Sequence, residues 1–325
     1  MKLDPFLLLM IAAVVLATAF PATGQMAVFV DGLGTFGVAL LFFLHGAALS
    51  PKTILAGLKQ WQLHLFILAT TFVVFPLIVQ PLRLLPQSIV PADLMLGFLY
   101  LGVLPSAVSS SIAYTAMARG NVPAAVCNSA GSNVFGLLLT PLLMSLLIDS
   151  SAASAMDLGR TFQDVCLQLL LPFGLGQIAH LWIGGWLGRN KTFLSNYDQW
   201  VIVLIIYSAF SQSVTAGLWQ VLPLSGLLAA VVICTILLIV VVLFTTQGAK
   251  FLGFTREDEI AAVFCGSKKS LASGLPLAQV LFAGAPGFGM IVLPIMLYNQ
   301  IQIMLGAILA RRYLRQGGAA QPARG

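Results

Sequence analysis

Asp258-Glu259-Ile260-Ala261-Ala262-Val263-Phe264-Cys265-Gly266-Ser267-Lys268-Lys269-Ser270-Leu271-Ala272-Ser273-Gly274-Leu275-Pro276 opens on two acids, runs apolar for two turns, and then sets two lysines side by side among serines and glycines. No acid follows Glu259 anywhere in the chain. The surroundings of this stretch are those of a membrane protein: 59% of all residues are apolar and 8% are charged, against roughly 25% charged in soluble domains. A charge at mid-membrane costs roughly 2.5 to 3.5 kcal/mol on insertion scales, so an adjacent pair is retained only where it has a task.

Working outward, apolar runs near the roughly 20 residues needed to cross a bilayer recur along the whole chain. Ten are expected, at 5–20, 33–49, 62–79, 92–114, 122–148, 163–183, 199–214, 224–244, 258–282 and 289–311. With ten crossings both termini share one side of the membrane. That side holds Lys2, Lys52, Lys59, Arg119, Arg189, Lys191, Lys250, Arg256, Arg311, Arg312, Arg315 and Arg324, whereas the other holds Arg83 and Arg160. The excess of positive charge marks the cytoplasmic side, which places both termini in the cytoplasm and the protein in the cell (inner) membrane. The net charge of +6 is thus a consequence of topology and gives no reason to invoke nucleic acid.

Residues 1–24 resemble a signal peptide in outline, with Lys2 as the basic start and Ala22 to Gly24 as a cleavage region. Removing them would leave nine crossings, so retention is expected. Cys127, Cys166, Cys234 and Cys265 fall inside apolar runs, where they act as small buried side chains and imply no disulfide framework. A single domain over 1–315 is expected, followed by a disordered tail at 316–325.

The fourth and ninth runs read alike. Each starts at an acid, Asp93 or Asp258, and each breaks at a serine-rich stretch: Pro105-Ser106-Ala107-Val108-Ser109-Ser110-Ser111 in one, Gly266-Ser267-Lys268-Lys269-Ser270 in the other. Proline removes an amide donor and glycine loosens the chain, so both stretches interrupt a helix and leave backbone groups without partners. Five runs separate the two, and an odd offset inverts the second copy relative to the first, giving repeats at about 1–150 and 160–315. Interrupted backbone inside a membrane is tolerated where it is buried in protein or lines a cavity, so a solute site is expected there. The plainer reading of either break alone is a proline kink with serines bonded back to helix carbonyls.

With Phe43-Leu44-His45-Gly46-Ala47-Ala48-Leu49-Ser50, Ala118-Arg119-Gly120-Asn121, Leu139-Thr140-Pro141, Leu171-Pro172, Leu175-Gly176-Gln177 and the 264–270 stretch in view, the chain resembles the bile acid:sodium symporter family, more closely its SBF-like subfamily with a Lys-Lys signature. The resemblance implies an all-α integral membrane fold of ten transmembrane helices in two inverted five-helix repeats. In it a panel domain of helices 1, 2, 6 and 7 moves against a core of helices 3, 4, 5, 8, 9 and 10. It also implies the ion sites. Relatives use a serine and an asparagine where this chain has Ser110 and Ser111, and two hydroxyl residues where it has Ala125 and Ser129, with Asn128 alongside. Their Glu-x-Gly-x-Gln-Asn-Ser reads here Phe264-Cys265-Gly266-Ser267-Lys268-Lys269-Ser270, so phenylalanine replaces the sodium-binding carboxylate.

Sodium wants several oxygen ligands, preferably one anionic, and a nearby ammonium repels it. The expectation is a sodium-independent secondary transporter of an organic anion. Lys268 stands in for the ion and bonds the hydroxyls and carbonyls of the breaks; the two lysines are expected to differ in task, one locking the crossing and the other exchanging a proton during the cycle, with the sequence leaving open which is which. The expected binding residues are Ser109, Ser110, Ser111, Asn128, Ser129, Ser267, Lys268, Lys269 and Ser270, with no metal and no cofactor. The expected partners are an organic anion, the lipid bilayer, and a proton or sodium as coupling ion.

His45, His64 and His180 are too scattered for metal ligation, and Asp164 reads as a capping or snorkelling acid. Asp93, Asp258 and Glu259 read as helix-start acids, and Asn299, Gln300 and Gln302 either line the cavity or bond between helices. Two rival classes stand beside the carrier. A channel or cation/proton exchanger fits the same fold, although an exchanger calls for a carboxylate at the break. An intramembrane hydrolase would pair Ser267 or Ser270 with a lysine, but no further catalytic motif accompanies them.

Overall fold

The computed structural model describes residues 5–49, 60–147, 163–222, 224–282, 284–285 and 287–318. Lys2, Lys52, Lys59, Arg160, Arg324 and the tail beyond Gly318 lie outside the described residues. The described chain is all-helical: α1 (Pro5–Ala19), α2 (Gly24–Ala48), α3 (Trp61–Leu84), α4 (Ala92–Val103), α5 (Ser109–Met117) and α6 (Val122–Leu147) are followed by α7 (Gln163–Arg189), α8 (Lys191–Thr215), α9 (Leu224–Phe251), α10 (Arg256–Ser267), α11 (Leu271–Leu281) and α12 (Phe288–Gly318). Among the described residues, α2, α3, α6, α7, α9 and α12 are long and apolar enough to cross a membrane. The shorter apolar helices α1, α4 and α11 join them, and α8 spans 25 residues. Helix therefore lies on each of the ten apolar runs. The second is longer than the sequence suggested, because Asp31 and neighbouring glycines cut its hydropathy without breaking it. The last continues past Arg315 to Gly318.

Two groups of helices emerge from the packing. In one, α2 packs on α7 and α8, and α8 packs on α1; in the other, α12 packs on α4, α9 and α5, while α10 packs on α3, α5, α6 and α9. The groups meet chiefly where α8 lies against α11 and α12, with the Gly289 amide donating to Ser213 Oγ at 2.6 Å across that boundary.

One end of the bundle gathers basic residues. Asn121, which caps α6 by accepting from the Ala124 amide (3.0 Å), also donates to Asp258 (2.7 Å) and Gln60 (3.0 Å), and Arg256 donates to the Tyr313 carbonyl. These bonds bring the Arg119 turn, the start of α10 and the end of α12 together. At the opposite end Arg83 donates to the Leu147 carbonyl. Arg119, Arg256 and the end of α12 thus share one end of the bundle, and Arg83 lies at the other.

Candidate functional site

The α10–α11 interruption is set by local chemistry at both ends. Thr255 caps α10, its hydroxyl accepting from the Asp258 amide at 3.2 Å, and Glu257, Asp258 and Glu259 fill the first turn where the helix dipole favours acids. The helix stops at Ser267. Lys268 (φ −98°, ψ 137°) and Ser270 (φ −81°, ψ 112°) are extended, and the Ser270 hydroxyl caps α11 by accepting from the Ser273 amide. The α4–α5 interruption follows from Pro105, because the residue before a proline is driven out of helical conformation; Leu104 sits at φ −69°, ψ 150°.

The two extended segments cross and pair as a short antiparallel bridge between Ser106 and Lys269. The Ser270 amide donates to the Pro105 carbonyl (2.9 Å) and the Ala107 amide to the Lys268 carbonyl (3.3 Å). The Gln302 side chain of α12 then grips the other edge of the same peptide, accepting from the Lys269 amide and donating to the Lys269 carbonyl, both at 2.8 Å.

The remaining freed carbonyls are met by protein donors. Ser106 Oγ donates to the Cys265 carbonyl (2.6 Å), Ser111 Oγ to Phe264 (2.9 Å), Thr140 Oγ1 to Val103 (2.8 Å), Tyr298 to Ser267 (2.7 Å) and Tyr100 to Gly274 (2.6 Å). Asn133 donates to the Ser106 carbonyl at 2.9 Å and is itself bonded by Ser273. Such pairing is what a break buried away from water requires.

The Lys269 ammonium, fully buried, fills the centre. Its Nζ donates to the carbonyls of Thr71 (3.0 Å), Gly102 (2.8 Å) and Leu104 (2.8 Å), which uses all three of its N–H groups, and it lies 4.1 Å from the centre of the Phe75 ring. Proline creates two of these acceptors. In α3 a wide turn at Thr70–Val74 pairs the Phe75 amide with the Thr70 carbonyl, and the next donor in that pattern belongs to Pro76, which has none; Thr71 is left free. Gly102 is left free less directly: Pro105 drives Leu104 extended, and the Ser106 amide that would have served Gly102 donates to Ser132 Oγ instead (2.9 Å).

Lys268 differs. Its Nζ donates to the Gln302 carbonyl at 2.9 Å, lies 4.4 Å from the centre of the Tyr114 ring, and faces a crevice between α9 and α12. The expectation that Lys268 bonds the hydroxyls and carbonyls of the breaks is therefore corrected: Lys269 bonds the carbonyls. Extended residues alternate sides, so neighbours in this segment point to opposite faces.

The structure brings Ser111, Ser129, Ser267, Lys268, Lys269 and Ser270 together as buried groups around the crossing. Ser129 Oγ lies 3.7 Å from Cys265 Sγ, and Ser267 Oγ is bonded back to the Val263 carbonyl at 2.6 Å. Asn128 donates to the Ala124 carbonyl within its own helix, its oxygen buried without a partner. Ser109 is exposed and Ser110 half-buried at the start of α5, which has no side-chain cap. Phe264 packs its ring near Tyr114 (5.8 Å) and Tyr313 (6.3 Å). Neither ammonium serves a serine: Lys269 is committed to carbonyls and Lys268 to Gln302.

Other residues took defined places. His45 Nε2 lies 3.1 Å from Asp198, and His180 Nδ1 lies 2.7 Å from the Ala47 carbonyl. Glu259 accepts from Tyr313 at 2.9 Å. Sequence reasoning missed Thr71, Ser106, Asn133 and Thr140 as partners of the crossing, and left Gln302 undecided; Pro76 and Pro105 were the available signals for two of the acceptors. It also missed Asp31 on α2, which accepts from Ser208 and from Gln212 (3.0 and 3.2 Å).

Two helices interrupted and crossed inside a bundle of membrane-spanning helices define the class: a multi-pass membrane transport protein. Residues 4–315 match the family described as SBF-like CPA transporters, and the chain belongs to that family. It is 46% identical over 316 residues to Putative symporter YfeH of Escherichia coli strain K12, covering 97% of this chain and 94% of that one. With Sodium/bile acid cotransporter 7 of Rattus norvegicus it shares 32% over 276 residues, 84% of this chain and 80% of the relative. Uncharacterized protein PA2026 of Pseudomonas aeruginosa is 48% identical over 315 residues, covering 96% and 93%. The family agrees with the resemblance carried by the Lys-Lys stretch.

Proposed function

We propose that the protein is a sodium-independent secondary carrier of an organic anion, working by alternating access. In this reading the ten apolar runs are ten crossings in two inverted repeats, and both termini lie in the cytoplasm at the inner membrane. The α1, α2, α7 and α8 group is the panel and the remainder is the core that moves against it. The boundary at α8, α11 and α12 is where the two slide.

One observation carries the sodium independence: the Lys269 ammonium already occupies three carbonyls left without helical partners, those of Thr71 in α3 and of Gly102 and Leu104 at the end of α4. A sodium ion there would meet a fixed positive charge and oxygens whose lone pairs already accept from protein donors. Lys269 is accordingly the built-in counterpart of an ion and also the lock of the crossing. Lys268, with one protein acceptor, is the ammonium free to meet a solute or to exchange a proton. Positive charge beside the starts of α5 and α11 favours an anion.

The test is uptake of organic anions, first selected by thermal-shift screening with and without sodium, into proteoliposomes with sodium and pH gradients imposed separately. Uptake that continues in sodium-free buffer and responds to the pH gradient is expected. Uptake by the parent that requires sodium refutes the reading, and flux far above carrier turnover would mark a channel instead.

A further inference from the structure

A crevice of about 290 Å³ opens between α9 and α12, with the end of Lys268 in its lining. Its walls include Ile239, Leu243 and Ile308, which are 47%, 52% and 64% exposed on helices of membrane-spanning length. Side chains so placed face hydrocarbon, so the mouth of the crevice opens sideways into the bilayer.

The charge inside it faces two aromatic rings, Tyr114 and Phe264, and no acid. Lys268 is 2% exposed, spends one N–H on the Gln302 carbonyl, and no Asp or Glu lines the crevice. The second charged residue in the lining is Arg312, six residues after Gly306 and thus about 9 Å further along α12, toward the basic end of the bundle. Gly306 itself makes room for the ammonium: a Cβ there would lie 2.6 Å from Lys268 Nζ and 3.0 Å from the Tyr114 ring.

We infer that this crevice binds a long-chain carboxylate taken directly from the membrane, its head on Lys268 and its chain along the apolar walls of α9 and α12. Arg312 gives the head a first stop near the surface. The single inner ammonium matches a small head of unit charge; a phosphate monoester carries more charge than it can neutralise, and the head of a two-chain lipid stays at the interface. The inference deepens the carrier reading, resting on its assignment of an anion as solute, but its test measures occupancy and not transport.

The experiment places the full chain in phosphatidylcholine nanodiscs with a diazirine-bearing hexadecanoic acid, irradiates, and maps adducts by mass spectrometry. Adducts should concentrate on 238–243 and 305–309 and fall at least tenfold in Lys268→Gln and in Leu243→Trp. The second variant narrows the crevice without touching the lysine, so the result does not depend on the folding of the first. Unlabelled hexadecanoic acid should compete and hexadecanol should not. Adducts spread evenly over lipid-facing helices, or unchanged in both variants, or displaced equally by the alcohol, overturn the inference. Uptake of a water-soluble anion without crevice adducts overturns it while leaving the carrier; crevice adducts with no uptake of any anion do the reverse.

Discussion

Replacing Lys269 by methionine keeps most of the side chain's volume and removes the ammonium, which strands three buried carbonyls, those of Thr71, Gly102 and Leu104. Each stranded group costs about 1 to 3 kcal/mol, so the midpoint loss is about 6 kcal/mol, and the contact with the Phe75 ring adds about 1. Against this stands relief from holding a charge in the membrane, about 3 kcal/mol. The net destabilisation is about 4 kcal/mol, a large share of the about 5 to 15 kcal/mol typical of a folded protein. For Lys268→Met one bond to the Gln302 carbonyl is lost, but that carbonyl sits inside α12 and keeps its helical partner, and the contacts with the Tyr114 and Phe264 rings go too, so a loss of about 3 kcal/mol is nearly cancelled by the relief of a buried charge. Thermal unfolding of the two variants in one detergent is the assay. Lys269→Met should melt far below the parent and Lys268→Met close to it. Equal melting points, or the reverse order, would refute the assignment of lock and free ammonium.

Other outcomes follow from the same geometry. Gln302→Leu removes both bonds to the Lys269 peptide and should lower stability by about 2 kcal/mol or more, whereas Gln302→Glu retains the acceptor and should lose less in the same melting assay. Gly97→Val drives a side chain into the Ile291 carbonyl, 2.5 Å from where its Cβ would sit, and into Pro294, so about 1 to 3 kcal/mol of destabilisation is expected from loosened α4–α12 packing. Asn121→Ala loses the cap of α6 and the bond to Asp258; about 1 to 2 kcal/mol should go, seen as faster hydrogen exchange at the start of α6.

Much of this was legible in the residues. Pro105 and the Gly266–Ser270 run announce their interruptions locally, because a missing amide and a capping serine act within a turn or two. The plainer reading of those serines also holds for Ser267, which bonds back to Val263 four residues earlier. Asp31 was hidden for a different reason: α2 tolerates it because Ser208 and Gln212 reach across from α8, more than 170 residues away.

The sequence by itself determined that the chain belongs in a membrane, where its two helices break, and that the break at Pro105 leaves backbone groups without helical partners. Tertiary structure alone decided which lysine answers them. The two lysines are chemically identical neighbours on an extended segment, and only the approach of α3, 198 residues from Lys269, and of α12 settles which face meets carbonyls and which meets the crevice. Pairing of that range depends on how the helices pack, and no local pattern records it.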